Sequence, residues 1–220
     1  MTSVDEVLRV WSRHPFDADT LAGALFKLIR HRHLLADPEA RMVRWLLARG
    51  ADPNRFVLQE APVSLLAIFL DSFRLGHEAL RLRVLRLLLE AGARFLAPWD
   101  ADEWLPAVLH APLRAQDLLV AHRAACMREL EAEVGVALHG LSHFPTIYAH
   151  GFEREGPARV VATLVGLGAD PRDRTDDGRL PSETLRAWMA EHREHVTPFI
   201  AELERHLRAH ERRALAATGL

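Results

Sequence analysis

The segment Gly-Ala-Asp-Pro occurs twice in this chain, and each time it follows apolar residues at helical spacing. It occupies residues 50–53 within ARGADPNR and residues 168–171 within GLGADPRD. Glycine readily adopts the left-handed backbone conformation that commonly ends an α-helix. A proline three residues later cannot continue the helix. The sequence therefore predicts two helices that end in similarly built turns.

Two further glycines follow apolar segments of the same kind and extend the pattern. Gly92 lies 42 residues after Gly50, Gly135 lies 43 residues after Gly92, and Gly168 follows 33 residues later. A second, shorter apolar helix fits between consecutive stops. Prolines that are tolerated in a first helical turn begin several of the predicted helices: Pro38, Pro62, Pro157, Pro181 and Pro198. No run of alternating β-branched residues is long enough to predict a strand.

The pattern predicts an all-α chain whose helices come in pairs. A helix over about residues 4–13 is expected to precede five pairs. The predicted pairs are 18–33 with 38–49, 62–75 with 78–91, 102–111 with 114–134, 146–153 with 157–167, and 181–192 with 197–213.

This arrangement resembles the ankyrin-repeat family, whose unit of about 33 residues has a turn, two antiparallel helices and a Thr-Pro-Leu-His motif. Counted from Gly135, His150 falls on the family's histidine and Gly156 on the glycine between the helices. Counted from Gly168, DDGRLP over 176–181 falls on its Asp-Gly-x-Thr-Pro segment. The resemblance makes His150 a structural hydrogen-bonding residue between neighbouring loops.

The resemblance implies one helical repeat solenoid over the whole chain. Residues 1–16 are expected to form an N-terminal cap and residues 214–220 a frayed tail. The expected repeats are 17–50, 51–92, 93–135, 136–168 and 169–213. No unit has the complete motif, and the second and third carry nine or ten extra residues, which we place in lengthened helices near 69–83 and 110–124.

Ankyrin proteins typically bind other proteins through their turn tips and concave face, so the resemblance implies a protein-binding module. The turn after Gly92 carries the strongest candidates, because aromatic side chains supply binding energy and carboxylates steer a basic partner. The candidates there are Trp99, Asp100, Asp102, Glu103 and Trp104. Alternatively, a tryptophan packs under the turn while the acids cap the next helix.

Further candidates for partner contact lie in or near the other turns. They are Arg55, Phe56, Tyr148, Arg172 and Arg174. For the arginines, the alternative is a solvated turn with local salt bridges. The charge asymmetry is strongest over residues 95–134, where seven acidic residues stand against three arginines. That excess of acid favours a protein partner with a basic surface.

We expect no catalytic centre, cofactor, small-molecule substrate or metal site. His206 and His210, like His192 and His195, have spacings that can hold a metal, but neither pair belongs to a His-Glu-x-x-His motif. The sequence has neither a nucleophile elbow nor a glycine-rich phosphate loop. The single cysteine, Cys126, excludes an intramolecular disulfide and is predicted to be a small buried side chain.

Composition limits the remaining alternatives. The formal net charge is −2, so the chain lacks the excess of basic residues expected of a nucleic-acid-binding protein. No stretch approaches the roughly 20 apolar residues of a membrane span, and the N-terminus does not resemble a signal peptide, so we expect a cytoplasmic protein. Arginine outnumbers lysine by 27 to 1, which indicates a GC-rich coding sequence and a high-GC bacterium.

The preferred functional hypothesis is a bacterial inhibitor or immunity-type protein that occludes a cognate toxin or enzyme. Its support is the size of the chain, the irregular repeats and the turn that combines acidic residues with tryptophan. The alternative is an adaptor that tethers its partners in a complex without inhibiting them.

Overall fold

The computed structural model describes residues 3–30, 36–55, 63–97, 104–143, 156–192 and 198–219. Within these ranges the chain forms thirteen α-helices, short 3-10 turns and loops, with no strand, which confirms the predicted all-α class. No helix in the same ranges is long and apolar enough to cross a membrane. The chain divides into two compact units, Met1–Glu129 and Leu130–Leu220.

The described part of the first unit contains eight α-helices. They are α1 (Val4–Trp11), α2 (Ala18–Arg30), α3 (Arg41–Ala48), α4 (Leu65–Asp71), α5 (Glu78–Glu90), α6 (Trp104–His110), α7 (Leu113–Ala121) and α8 (Arg123–Cys126). A 3-10 turn over Ser72–Leu75 continues α4. The cap helix predicted over residues 4–13 is therefore present as α1, which ends two residues earlier.

The helices of the first unit pack in two series. Helix α2 contacts α4, and α4 contacts α6. In the other series α3 contacts α5, and α5 contacts α7, while α1 packs on α3. Fully buried side chains such as Leu25, Phe69 and Leu88 fill the space between these helices. Burial of such side chains is the main favourable contribution to the folding free energy.

The second unit contains five α-helices in its described ranges. They are α9 (Glu131–Gly135), α10 (Ala137–Gly140), α11 (Gly156–Leu167), α12 (Pro181–Glu191) and α13 (Pro198–Ala217). Helix α13 packs on both α11 and α12, and α10 contacts the same two helices. Val161, Ile200 and Leu207 are fully buried. Thus α13 holds this unit together from one side.

Helix α3 ends in a left-handed glycine with two characteristic hydrogen bonds. The N–H of Gly50 donates to the carbonyl of Leu47, and the N–H of Ala51 donates to the carbonyl of Leu46, both at 3.0 Å. These are the two bonds of the Schellman motif, which satisfies carbonyl groups that the helix end leaves unpaired.

Helices α5 and α11 end in the same way. The donor and acceptor pairs are Gly92 with Leu89, Ala93 with Leu88, Gly168 with Val165 and Ala169 with Leu164, at 2.9–3.1 Å. The φ angles of Gly50, Gly92 and Gly168 are 89°, 83° and 122°. The alanine that follows each glycine is at most 4% exposed. Glycine is used for its backbone conformation and alanine for its small buried side chain, so three of the four predicted helix stops are confirmed.

At the fourth predicted stop, Gly135, a helix does end, but the left-handed conformation expected there is wrong. Gly135 has no positive φ, and it is the last residue of α9, with α10 beginning at Ala137. Its carbonyl accepts the N–H of Asp170 at 3.1 Å. Gly135 therefore takes part in a contact with a distant turn and does not form a left-handed helix end.

The continuous helix predicted over residues 114–134 is also wrong. The segment consists of α7, α8, a 3-10 turn over Arg128–Leu130, and α9. The N–H of Phe95 donates to the carbonyl of Cys126 at 2.9 Å. In a continuous helix that carbonyl would accept an N–H four residues later. A tertiary hydrogen bond thus replaces a helical one where the helix breaks.

Two of the proline-initiated starts differ from the prediction. Helix α3 begins at Arg41, three residues after Pro38. Helix α4 begins at Leu65, where the hydroxyl of Ser64 accepts the N–H of Ala67 at 3.1 Å and so caps the helix. Pro157, Pro181 and Pro198 do lie in first turns, as predicted.

The extra residues near 69–83 and 110–124 do not simply lengthen helices. The first set forms the 3-10 turn after α4 and the start of α5. The second set forms the break between α6 and α7 and the body of α7. The helix predicted over 146–153 lies outside the described residues.

Candidate protein-binding surface

Two turns share the Gly-Ala-Asp-Pro sequence; we call residues 50–55 the first turn and residues 168–180 the last turn. In the first turn, the Oδ1 atom of Asp52 accepts the N–H of Asn54 at 2.8 Å. In the last turn, the Oδ1 atom of Asp170 accepts the N–H of Arg172, also at 2.8 Å. Aspartate side chains commonly stabilise turns by this bond to the backbone two residues later. The two turns therefore begin with the same local structure.

The first turn is fastened to the turn that follows α5. The Nδ2 atom of Asn54 donates to the carbonyl of Gly92 at 2.8 Å, and its Oδ1 atom accepts the N–H of Arg94 at 2.9 Å. The nitrogen and the oxygen of this half-buried amide thus both form hydrogen bonds that join two successive turns. Sequence reasoning missed Asn54, although an asparagine directly after Asp-Pro was a visible signal.

Arg55 is exposed and forms an ion pair with Asp19 at the start of α2. This is the local salt bridge that was the alternative to partner contact. Ion pairs between exposed side chains contribute little stability because water and salt screen them. Arg55 therefore remains accessible to a partner, but its guanidinium group already has a carboxylate neighbour.

In the last turn Arg172 folds back on the turn's own aspartate. Its Nε atom donates to Oδ1 of Asp170 and its Nη2 atom to Oδ2, both at 3.0 Å. This hydrogen bond lowers the pKa of the Asp170 carboxyl below its ordinary value and raises the pKa of Arg172. The predicted contact residue Arg172 thus lies at the surface in a fixed, bidentate arrangement.

The remainder of the last turn closes on itself. The N–H of Thr175 donates to the carbonyl of Arg179 at 3.1 Å, and the Thr175 hydroxyl accepts the N–H of Arg179 at 3.0 Å. The same hydroxyl donates to Asp177, and this bond lowers the pKa of that carboxyl. Gly178 has a φ of 82°, a conformation that favours glycine, and its carbonyl accepts a hydrogen bond from Arg174.

The last turn and α12 together form a groove of about 620 Å³, which we call the arginine groove. Its lining residues are Arg174, Asp177, Gly178, Arg179, Glu183, Arg186, Ala187 and Ala190. Three guanidinium groups, two carboxylates and two alanine side chains therefore line this open surface. The predicted contact residue Arg174 belongs to this groove.

Helix α13 fixes the helical wall of the arginine groove. The buried Glu211 carboxylate accepts the Ser182 N–H at 2.8 Å and the Ser182 hydroxyl at 2.6 Å. It thereby caps the start of α12 from another helix, which is needed because the N-cap residue, Leu180, has no polar side chain. The buried Glu204 carboxylate accepts a hydrogen bond from Arg186 and forms an ion pair with Arg208, each at 2.8 Å.

His139 joins α10 to α12 and to the last turn. Its Nδ1 atom lies 3.0 Å from the hydroxyl oxygen of Thr184, and its Nε2 atom lies 3.3 Å from the carbonyl oxygen of Asp173. This is the structural bridging role that the resemblance implied for His150. His150 itself lies outside the described residues, and sequence reasoning did not single out His139.

The structure corrects the prediction that Trp104 contacts a partner. Trp104 is 2% exposed and begins α6, a short helix with mostly buried side chains that packs on α4. A helix that is apolar around most of its circumference is buried on most sides. The other candidates of the same turn, Trp99, Asp100, Asp102 and Glu103, lie outside the described residues, as do Phe56 and Tyr148.

The cysteine and the histidine pair singled out from the sequence are engaged in packing or local pairs. Cys126 is fully buried as predicted, and burial raises the pKa of its thiol to about 12. His206 lies 3.6 Å from the Glu202 carboxylate, and burial lowers the pKa of His210. Across the described ranges, no three histidine, cysteine or acidic side chains cluster closely enough to hold a metal ion.

Comparisons with known proteins do not assign the chain to a family. No family model matches it. No curated protein and no solved structure matches it either. The arginine groove and the last turn are therefore identified from their own geometry. The ankyrin resemblance depends on the residues that suggested it.

Proposed function

We propose that this chain is a non-catalytic protein-binding module that presents its turns to a partner. The observation that carries the proposal is the last turn, in which Thr175 and Arg179 bond to each other across the turn while its arginines remain exposed. A surface that is ordered before binding loses less conformational entropy when the complex forms. Arginine is also enriched among residues that dominate binding energy.

The packing of the first unit supports an ankyrin-type repeat as the framework. Its helices contact each other in the two series that stacked pairs produce, α2–α4–α6 and α3–α5–α7. Asn54 links two successive turns, as expected where neighbouring repeats share hydrogen bonds. Stacked repeats bury a continuous core and leave their turns at the surface, where binding residues are tolerated.

We further propose that the natural partner is a toxin or enzyme of the same bacterial cytoplasm and that binding occludes its active site. The exposed and internally braced last turn suits insertion into a partner's cleft. The second candidate is an adaptor that binds through the same turn but leaves its partner active. Both uses require a stoichiometric complex, and they differ in the partner's activity within it.

Co-purification of the tagged chain from its native cells tests the proposal. We expect one stoichiometric partner, whose activity is lost in the complex if the chain is an inhibitor and retained if it is an adaptor. The double variant Arg172→Ala/Arg174→Ala should reduce recovery of that partner by at least about tenfold, since arginine anchors often contribute about 2 kcal/mol or more. Recovery of no partner, or of many substoichiometric ones, would overturn the proposal.

The matched control is Arg205→Ala. Arg205 is an exposed arginine of α13 that pairs with Glu202 at 2.8 Å and does not line the arginine groove. Its replacement removes the same kind of charge from the same unit, so recovery of the partner should be unchanged. An equal loss with this control would show that net charge, and not the last turn, governs binding.

A further inference from the structure

We infer that the arginine groove binds a carboxylate-bearing segment of the partner, an acidic peptide stretch with glutamate or aspartate side chains. This inference rests on the proposed protein-binding function and adds the chemistry of the contact. Its basis is the difference between the groove's acids, which are engaged, and its arginines, which keep unused donors.

The two carboxylates of the groove already have partners within the groove wall. Asp177 accepts a hydrogen bond from the Thr175 hydroxyl and pairs with the Nε atom of Arg179 at 2.8 Å. Glu183 accepts the N–H of Leu180 at 2.8 Å and so closes the first turn of α12. These acids stabilise the turn and the helix start, which leaves them less available to a ligand cation.

The three arginines have more donors than the described residues use. A guanidinium group has five N–H donors. Arg174 makes one hydrogen bond, to the Gly178 carbonyl, and no ion pair with the described residues. Arg179 and Arg186 each pair with one carboxylate, and their side chains remain 52% and 55% exposed. A carboxylate can accept two parallel bonds from such a group.

The arrangement is held in place before any ligand arrives. The Nε and Nη2 atoms of Arg186 both contact Oε1 of the buried Glu204, at 2.8 and 2.6 Å. Glu211 holds the start of α12, and Gly178 anchors the Arg174 side chain. Fixed side chains lose less rotamer entropy on binding, so the groove favours a ligand of matching spacing.

The groove suits a peptide better than a nucleic acid. Its lining includes Ala187 and Ala190, whose small side chains allow a peptide backbone to approach. The chain also has a formal net charge of −2, whereas nucleic-acid-binding proteins draw most of their affinity from basic surfaces.

The test uses the full chain and a fluorescein-labelled ten-residue peptide in which glutamate alternates with alanine. Fluorescence anisotropy and two-dimensional NMR should show binding, with the Arg Nε–Hε signals of Arg174, Arg179 and Arg186 shifting on titration. A peptide with glutamine in place of each glutamate should bind at least about tenfold more weakly, because it lacks the charge. Equal affinity for both peptides would overturn the inference.

Variants locate the site. Arg174→Ala/Arg179→Ala should weaken binding of the glutamate peptide by about tenfold or more, whereas Arg205→Ala should leave it within about twofold. A far-ultraviolet circular dichroism spectrum and melting curve like those of the wild type will show that the double variant is folded. A folded double variant that retains wild-type affinity would overturn the inference.

A labelled twelve-base-pair DNA duplex forms the competing arm. We expect it to bind more weakly than the glutamate peptide and to be insensitive to Arg174→Ala/Arg179→Ala. Tighter binding of the duplex, lost in that variant, would assign the groove to nucleic acid and overturn the peptide inference. Wild-type chain that binds neither probe would overturn it as well.

These outcomes can be separated from failure of the proposed function. If a natural partner co-purifies and requires the last turn while the glutamate peptide does not bind, only the acidic-segment inference fails. If the peptide binds as expected and no partner co-purifies, the protein-binding proposal fails and the chemistry of the groove stands.

Discussion

The first and last turns begin with the same four residues and the same aspartate-to-backbone bond, yet they are used differently. In the first turn the next residue is Asn54, whose amide bonds to the turn after α5. In the last turn the equivalent residue is Arg172, whose guanidinium folds back on Asp170. The residue after the proline fastens the first turn to a neighbouring turn, whereas in the last turn it bonds within the turn, which other groups tie to Gly135 and His139.

The difference shows that helix termination and turn use are separable. Gly50 and Gly168 close their helices with the same pair of backbone bonds, so closure does not depend on which residue comes after the proline. That residue instead determines whether the side chain bonds to a neighbouring turn, as Asn54 does, or remains at the surface, as Arg172 does. Asn54 contributes a bond between turns, whereas Arg172 keeps its guanidinium group at the surface of its own turn.

The largest expected effect tests whether the two helix ends are equally important for packing. Leu46 and Leu164 accept the alanine N–H in the two motifs and are both essentially buried. Replacing either with alanine should lower the free energy of unfolding by about 2–5 kcal/mol through lost burial and a cavity. Urea denaturation followed by circular dichroism measures this. Leu113→Ala, at a 40% exposed site, is the control and should cost far less.

The next effect should differ between the two turns. Asn54→Ala leaves the Gly92 carbonyl and the Arg94 N–H without their partner, which costs about 1–3 kcal/mol for a buried group. Arg172→Ala, at the equivalent position, removes only an exposed ion pair, so stability should hardly change. Thermal melts of the two variants give the comparison. Equal destabilisation would contradict the difference between an asparagine that joins two turns and an arginine that bonds within one.

Replacing the glycine that ends the helix should lower the free energy of unfolding by a similar amount in both turns. Gly50→Ala and Gly168→Ala place a side chain on a left-handed residue, which costs about 1–2 kcal/mol. Gly135→Ala should instead be neutral or stabilising by up to about 1 kcal/mol, since Gly135 is helical and a Cβ there meets no atom within 4 Å. Chemical denaturation distinguishes these results. A destabilising Gly135→Ala would contradict the assignment of Gly135 as an ordinary helical residue.

The smallest effect concerns acid pH and the last turn alone. Hydrogen bonding to Arg172 lowers the pKa of Asp170 below the ordinary 3.8, so the folded state favours the ionised carboxyl. This stabilisation is fully present above pH 3.8 and is lost as the pH falls through the lowered pKa. Arg172→Ala should raise the pKa of Asp170 towards 3.8, as measured by carbon-detected NMR titration. An unchanged pKa would show that the Arg172 contact is not maintained in solution.

Features that depend on local backbone geometry could be predicted from the sequence. The all-α class followed from helical spacing, and the stops at Gly50, Gly92 and Gly168 followed from the conformational freedom of glycine. A short stretch of sequence around each glycine contains all the information that such a closure needs. That is why the prediction was confirmed at three separate places.

Features that depend on distant contacts could not be predicted. In the segment after Leu113 the helix is interrupted where the N–H of Phe95 donates to the carbonyl of Cys126. No local sequence pattern can indicate a donor so far away in the sequence. Periodicity indicated apolar residues in α6 but could not tell whether Trp104 faces a partner or the core. Only part of the arginine groove could be predicted. Arg174 stands in a turn that the sequence indicates, whereas the buried Glu204 and Glu211, which support the groove wall, come from the distant helix α13.

The buried cap that Glu211 provides has a consequence for the order in which the second unit forms. Helix α12 begins at Pro181, but the carboxylate that satisfies its start arrives 29 residues after Ser182. During synthesis Ser182 emerges before Glu211, so its N–H and hydroxyl lack this carboxylate until α13 docks. The wall of the surface that we assign to binding is therefore completed only when α13 has been made, and a ribosome-bound chain that ends before α13 would have no finished groove.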